Sequence, residues 1–69
     1  MKVLREVNGF KLNQGNLMAN GLFNVSDEND NVSFWFDGET AQDLLNMTDE
    51  EFCDECRIKL EYADMYDEI

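Results

Sequence analysis

The sequence predicts a small α+β domain, an antiparallel sheet of about four strands with two short helices in the order β-β-β-α-α-β. Three observations carry this. The densest apolar cluster, Phe34-Trp35-Phe36, runs directly into Asp37-Gly38, a strand meeting a break. After the break, Ala41, Leu44 and Leu45 recur at helical spacing. Towards the end, Arg57-Ile-Lys-Leu-Glu-Tyr62 alternates polar and apolar with period two, as a half-buried strand does. A chain of 69 residues has room for one modest core, so 1–69 is read as one acidic domain without repeat or linker.

Taken in order, Lys2 to Leu12 reads as extended, with Asn8-Gly9 a turn or bulge within it. Asn13 to Asn16 is a turn. Leu17 to Val25 is the second strand, with Met18, Leu22 and Phe23 as its apolar surface and Gly21 as a bulge or a close backbone approach. Ser26 to Asn31 is polar and turn-forming, and Val32 to Phe36 returns as the third strand of a 17–36 hairpin. Helices are expected at about 39–47 and 49–55. Thr48 is the N-cap of the second, and Glu51 completes a capping box. The strand at 57–62 follows; its alternative is one continued helix carrying Phe52, Cys56, Leu60 and Ala63 on a face. The acidic tail 63–69 is expected to fray unless Met65, Tyr66 and Ile69 dock.

Charge is the strongest compositional feature: 16 acids against 5 bases, a net of −11. Lys2, Arg5 and Lys11 precede position 12, and Arg57 and Lys59 follow position 56, so the intervening stretch holds acids alone. Such a surface repels phosphate and attracts cationic partners, or serves solubility. No stretch reaches the length of a membrane span, and Met1 to Val7 lacks the apolar run of a signal peptide, so the expected compartment is the cytoplasm.

The hairpin, the Phe36-Asp37 junction, the helix with paired apolar residues, the second helix and the closing strand together resemble one family. It is the C-terminal oligonucleotide-binding (OB) domain of the large subunit of replication protein A. The matching residues are Leu17-Met18, Val25 to Asn29, Phe36-Asp37, Ala41 with Leu44-Leu45, Arg57 to Leu60 and Tyr66 to Glu68, across about 17–68. The resemblance implies an OB fold, a five-stranded, partly open barrel that binds single strands. The chain departs from the family: nothing supplies its four-Cys zinc ribbon, its stacking aromatic falls near Val32, and its last strand would lie beyond Ile69. Four strands would make an incomplete OB-like barrel, a dimer-completed one, or a different α+β sheet.

Cys53-Asp-Glu-Cys56 is a C-x-x-C pair. As a zinc half-site it lacks partners, since the chain holds 2 Cys and no His, unless a homodimer supplies them. As a redox pair it is poorly placed, because Asp54 and Glu55 raise thiol pKa. Two small buried residues is the simpler reading, and no metal or cofactor is expected. Asp27 to Asn31 begins like a calcium loop, but Val32 stands where that loop needs glycine and Gly38 where it needs glutamate, so it reads as a turn. Asn24, Asn31 and Asn46 match the glycosylation pattern by chance in a chain without a secretion signal. Without His, a marked carboxylate pair or a nucleophile in a recognisable turn, an enzyme is not expected and no catalytic residue is assigned.

The expected function is non-enzymatic: an acidic binding protein that occupies the basic surface of a nucleic-acid-binding partner. Carboxylates a helical turn apart stand ~5–6 Å from one another, the scale on which charge repeats along a nucleic-acid strand. Asp49, Glu50, Glu51, Asp54 and Glu55, with Asp43, Glu39 and Trp35, are the expected partner-binding residues. Small size and high negative charge resemble, as a class, phage-encoded inhibitors such as anti-CRISPR proteins and other DNA mimics. The alternatives are an OB-like single-strand-binding module and a homodimer linked by zinc through Cys53 and Cys56. Direct nucleic-acid binding and membrane association are not expected, and the chain is a monomer or a homodimer.

Overall fold

The computed structural model describes residues 2–15 and 21–67. The chain forms β1 (Lys2–Val7), β2 (Phe10–Gln14), β3 (Phe23–Ser26), α1 (Gly38–Asn46) and α2 (Asp49–Asp67). The three strands make one open antiparallel sheet in the order β1-β2-β3, so the class is α+β. Leu12 and Val25 on the sheet, Ala41 and Leu44 on α1, and Phe52 and Cys56 on α2 form the buried core. Each fully buried Val, Leu or Phe among them contributes about 1.5–3 kcal/mol.

Local chemistry explains most of these elements. Asn8 and Gly9 have φ of 52° and 87°, the two positive values that match a hairpin loop to strand twist. The segment 2–12, expected as one extended strand, is therefore two strands facing each other, with Val7 opposite Phe10. A Cβ on Gly9 would meet the Glu28 carboxyl group at 3.3 Å. Leu4 is an extra residue between the pairs Val3–Asn13 and Arg5–Leu12, a bulge that interrupts the edge strand. Of the expected strand 17–25, Phe23 to Val25 belong to β3, while Gly21 and Leu22 precede it as turn and coil; residues 16–20, Met18 among them, lie outside the described residues.

The expected third strand, 32–36, is not a regular strand. It touches β3 at two isolated bridges, Ser26–Val32 and Phe23–Phe36. Three steps on β3 face four on the returning segment, so the ladder cannot stay in register. Ser33 takes up the excess: its amide donates to the Val25 carbonyl at 2.9 Å, and its Oγ accepts the Val25 amide at 3.0 Å. The irregularity also breaks the alternation that a regular strand would impose on Phe34, Trp35 and Phe36. Phe36 packs on the core, while Phe34 and Trp35 are both exposed, at 52% and 45%.

The capping box expected at Thr48 is present, and Asp37, read from the sequence only as a strand break, caps the first helix. Asp37 Oδ1 accepts the Thr40 amide at 3.0 Å, and that bond leads the causes that hold the Asp37 carboxyl below its ordinary value. The Glu51 amide donates to Thr48 Oγ1 at 3.2 Å while the Thr48 amide donates to Glu51 Oε1 at 3.1 Å, closing the capping box. The expected strand at 57–62 is overturned, because α2 runs through it to Asp67. No Gly or Pro lies between Thr48 and Asp67, so nothing stops a capped helix once begun. A strand would put Ile58, Leu60 and Tyr62 on one face; instead Leu60 packs on the core while Ile58 and Tyr62 are 46% and 57% exposed. Phe52, Cys56, Leu60 and Ala63 form the inward stripe. Residues 63–67 form the last turns of this helix, with the Tyr66 ring against Phe34; Glu68 and Ile69 lie outside the described residues.

One side chain ties the layers together. Arg5, on β1, donates from Nη1 to the Leu44 carbonyl at 2.7 Å and from Nη2 to Asp49 Oδ1 at 2.9 Å. Its guanidinium lies 4.6 Å from the Phe52 ring centroid. It thus satisfies an end carbonyl of α1, pairs with the first residue of α2 and covers the core phenyl ring. Replacing Arg5 by alanine is expected to cost about 2–3 kcal/mol, in the range for a lost charged hydrogen bond. Arg5→Lys should recover less than half, since an ammonium cannot span both acceptors while stacked. Urea unfolding followed by circular dichroism measures both; an unchanged midpoint for Arg5→Ala would show that packing alone holds the junction.

A candidate docking surface on the long helix

Helical geometry decides what the carboxylates of α2 can do together. Consecutive residues point about 100° apart, so Asp49, Glu50 and Glu51 fan around the axis instead of forming one patch. The structure also engages some of them. Asp49 pairs with Arg5, Glu51 is held in the Thr48 cap, and Asp54 Oδ1 accepts from Arg57 Nη1 at 3.0 Å. These are surface pairs: the Asp49 and Asp54 side chains remain 77% and 57% exposed. Glu55 is half-buried. Glu39 and Asp43 are exposed one turn apart on α1, a different element.

The stripe that helix spacing does assemble is Glu50, Asp54, Arg57, Glu61 and Asp64, all exposed. Their spacing of four, three, four and three residues keeps them on one side over about 21 Å of helix. Four are carboxylates, and the one base is already paired with Asp54. Glu61 and Asp64 were not among the residues expected from the sequence, because the strand reading of 57–62 cut the helix short. The absence of a helix breaker after Thr48 was the available signal.

Beside the C-terminal half of this stripe lies a groove of about 270 Å³ between α2 and the Asp27–Val32 turn, lined by Phe10, Asp27, Arg57, Leu60, Glu61 and Asp64 among others. In the turn, Asp27 accepts the Asn29 and Asn31 amides at 2.9 and 3.0 Å and the Asn31 side-chain amide at 2.9 Å. The Asn31 side chain is the leading cause of its lowered pKa, so these carboxylate oxygens act as turn acceptors. On the other flank of α2, Trp35 lines a second groove of about 220 Å³ with Ser33, Phe34, Phe36, Lys59 and Tyr62.

Both cysteines face inward. Cys56 is fully buried, and Cys53 is 8% exposed, with its Sγ 3.7 Å from Asn8 Nδ2 and 3.8 Å from the Val7 carbonyl. Burial, followed by the neighbouring Cys53, pushes the Cys56 thiol from 9.0 up to about 12. A reactive or ligating thiol needs the opposite shift. Among the described residues no group of three or more His, Cys, Asp or Glu is placed to hold a metal ion. No helix among them is long and apolar enough to cross a membrane.

Two measurements test this description. Because Cys56 has a higher pKa folded than unfolded, its contribution to stability is complete below pH 9.0 and declines as pH rises towards about 12. Cys56→Ala should flatten that part of a urea-stability profile against pH, and a profile identical to the parent's would refute the buried thiol. Separately, the melting temperature should rise between low and physiological ionic strength as carboxylate repulsion is screened. A flat or falling curve would mean that the acids of α2 do not repel one another appreciably.

Compared with protein-family models, curated proteins and solved structures, the chain matches none.

Proposed function

We propose that this chain is a non-enzymatic acidic binding protein that works in the cytoplasm by occupying the basic, nucleic-acid-binding surface of a partner protein. This is the manner of phage-encoded inhibitors of the DNA-mimic or anti-CRISPR class. The observation that supports the reading best is the exposed ribbon of Glu50, Asp54, Glu61 and Asp64 on a single capped helix. A helix fixes carboxylate spacing at ~5–6 Å per turn, as a loop would not. Net charge of −11 extends the attraction beyond the ribbon and speeds encounter with a cationic surface at low salt.

A second reading, an OB-like single-strand binder, draws on the exposed Phe34 and Trp35, since bases stack on such rings. Against it stands electrostatics. Such binding needs a positive groove, and here Arg5 and Arg57 are paired with carboxylates while the Lys59 ammonium lies 5.0 Å from the Phe36 ring centroid.

The test is competition. The chain should displace labelled DNA or RNA from a basic partner recovered from the source lysate, with potency falling steeply as salt rises. The variant Glu50→Gln, Asp54→Asn, Glu61→Gln, Asp64→Asn keeps the shapes, removes four charges and should compete at least about tenfold less well. Equal competition by that variant would reduce the ribbon to a solvated surface. Salt-sensitive binding of an oligonucleotide to the unmodified chain, lost on Trp35→Ala, would establish the second reading instead.

A further inference from the structure

The helix that carries the acids also carries, on its other exposed flank, an aromatic face that no element among the described residues covers. Tyr62, Met65 and Tyr66 are 57%, 64% and 62% exposed on the last turns of α2. Across from them stand Phe34 and Trp35, turned outward by the irregular pairing of 32–36 with β3. The two sets form one surface. The Phe34 and Tyr66 rings meet edge to face with centroids 5.7 Å apart, and Trp35 and Tyr62 line the same groove of about 220 Å³. Scattered single apolar residues are ordinary on a protein surface, whereas a contiguous group of this kind marks an interaction site.

From this placement we infer that the face of Phe34, Trp35, Tyr62, Met65 and Tyr66 is the anchoring site for a basic protein partner, one that presents an apolar ridge flanked by lysine and arginine. Charge complementarity selects that occupant. Glu55 lies two turns before Tyr62, and Glu61 one turn before Met65, each pair on one side of α2, so carboxylates border the aromatic face. Lys59, the cation at the groove, stays with the Phe36 ring. A second copy of the chain would bring one net charge of −11 against another. A nucleic acid would bring phosphates against the same carboxylates. A basic surface gains from both parts: its apolar ridge fills the groove, and its cations meet the carboxylates and the electron-rich ring faces. The inference rests on the acidic-binder reading and adds where the partner is gripped. The ribbon steers the approach and the aromatic face holds the complex.

The test uses the full chain and two synthetic probes. One is an amphipathic helical peptide with an arginine- and lysine-rich face and a leucine face; the other has the same charge with serine at every leucine position. Trp35 is the 1 tryptophan of the chain, so its fluorescence reports directly on the proposed face. The leucine peptide is expected to shift Trp35 emission and to bind about tenfold more tightly than the serine peptide. Tyr62→Ala and Tyr66→Ala should each remove most of that difference while circular dichroism and melting temperature stay as in the parent; their exposure makes both substitutions tolerable to the fold. Removing the four ribbon charges should weaken both peptides alike. Equal affinity for the two peptides with Trp35 silent, but sensitivity to the ribbon variant, would overturn the anchoring site and leave the acidic-binder reading standing. Failure of both peptides to bind would overturn the two together. A dimeric mass in sedimentation that becomes monomeric on Tyr62→Ala would show that a second copy covers the face. Trp35 quenching by a thymidine oligonucleotide would give the face to single strands; either result refutes the inference.

Discussion

The arrangement of this small domain depends on the Arg5 guanidinium. β1 is an edge strand, interrupted by the Leu4 bulge, and packs Leu4 and Val7 on the core. Arg5 makes the connection through one planar group that reaches the end of α1, the start of α2 and the face of Phe52. Its side chain keeps 17% of its exposure, enough shielding to strengthen its hydrogen bonds without the full desolvation penalty of a buried ion. The α1–α2 corner is thereby fixed, and with it the direction in which the long helix leaves the core. Everything proposed for the surface follows from that direction.

α2 is asked to do several things, and its periodicity keeps them apart. One stripe supplies Phe52, Cys56, Leu60 and Ala63 to the interior, a second carries the carboxylate ribbon, and a third carries Tyr62, Met65 and Tyr66. Like charges one turn apart oppose helix formation by a few tenths of a kcal/mol per pair. The chain offsets this locally with the capping box, with acids in the first turn where the helix dipole favours them, and with the Asp54–Arg57 pair. The buried thiols of Cys53 and Cys56 belong to the interior stripe, as the C-x-x-C spacing allows: residues three apart on a helix share a face.

The same sheet shows how polar residues enter a small core. Asn13 and Asn24 are directly opposed on β2 and β3 and are 4% and 2% exposed. Asn13 Nδ2 donates to Asn24 Oδ1 at 3.1 Å and to Ser26 Oγ at 3.0 Å, and among the described residues no buried side-chain polar atom lacks a partner. Asn13, which reads as a turn residue in the sequence, is in place one half of a cross-strand pair.

The sequence by itself determined whatever is encoded within a few residues. Asn8-Gly9 allows two successive positive φ angles, Thr48 offers a side-chain oxygen to a free helix amide, and Ala41 with Leu44 marks the inner face of α1; each of these signals was legible, and so was the α+β class. Asp37, by contrast, reads in the sequence as a strand break, and its capping bond came from the structure. The concentration of acid was legible as composition, though not as geometry. Only the tertiary structure decided what depends on distant partners. Residues 57–62 satisfy both a period of two and a helical stripe, and the core chose the helix because it takes Leu60 and Ala63 while leaving Ile58 and Tyr62 outside. That choice removed the fourth strand, added Glu61 and Asp64 to the carboxylate ribbon and brought Tyr66 against Phe34. The outward turn of both Phe34 and Trp35 likewise depends on a mismatch of one residue between two segments, visible only once Ser26 is paired with Val32 and Phe23 with Phe36. Local rules fix where an element starts; which side of it meets water is settled by the elements packed against it.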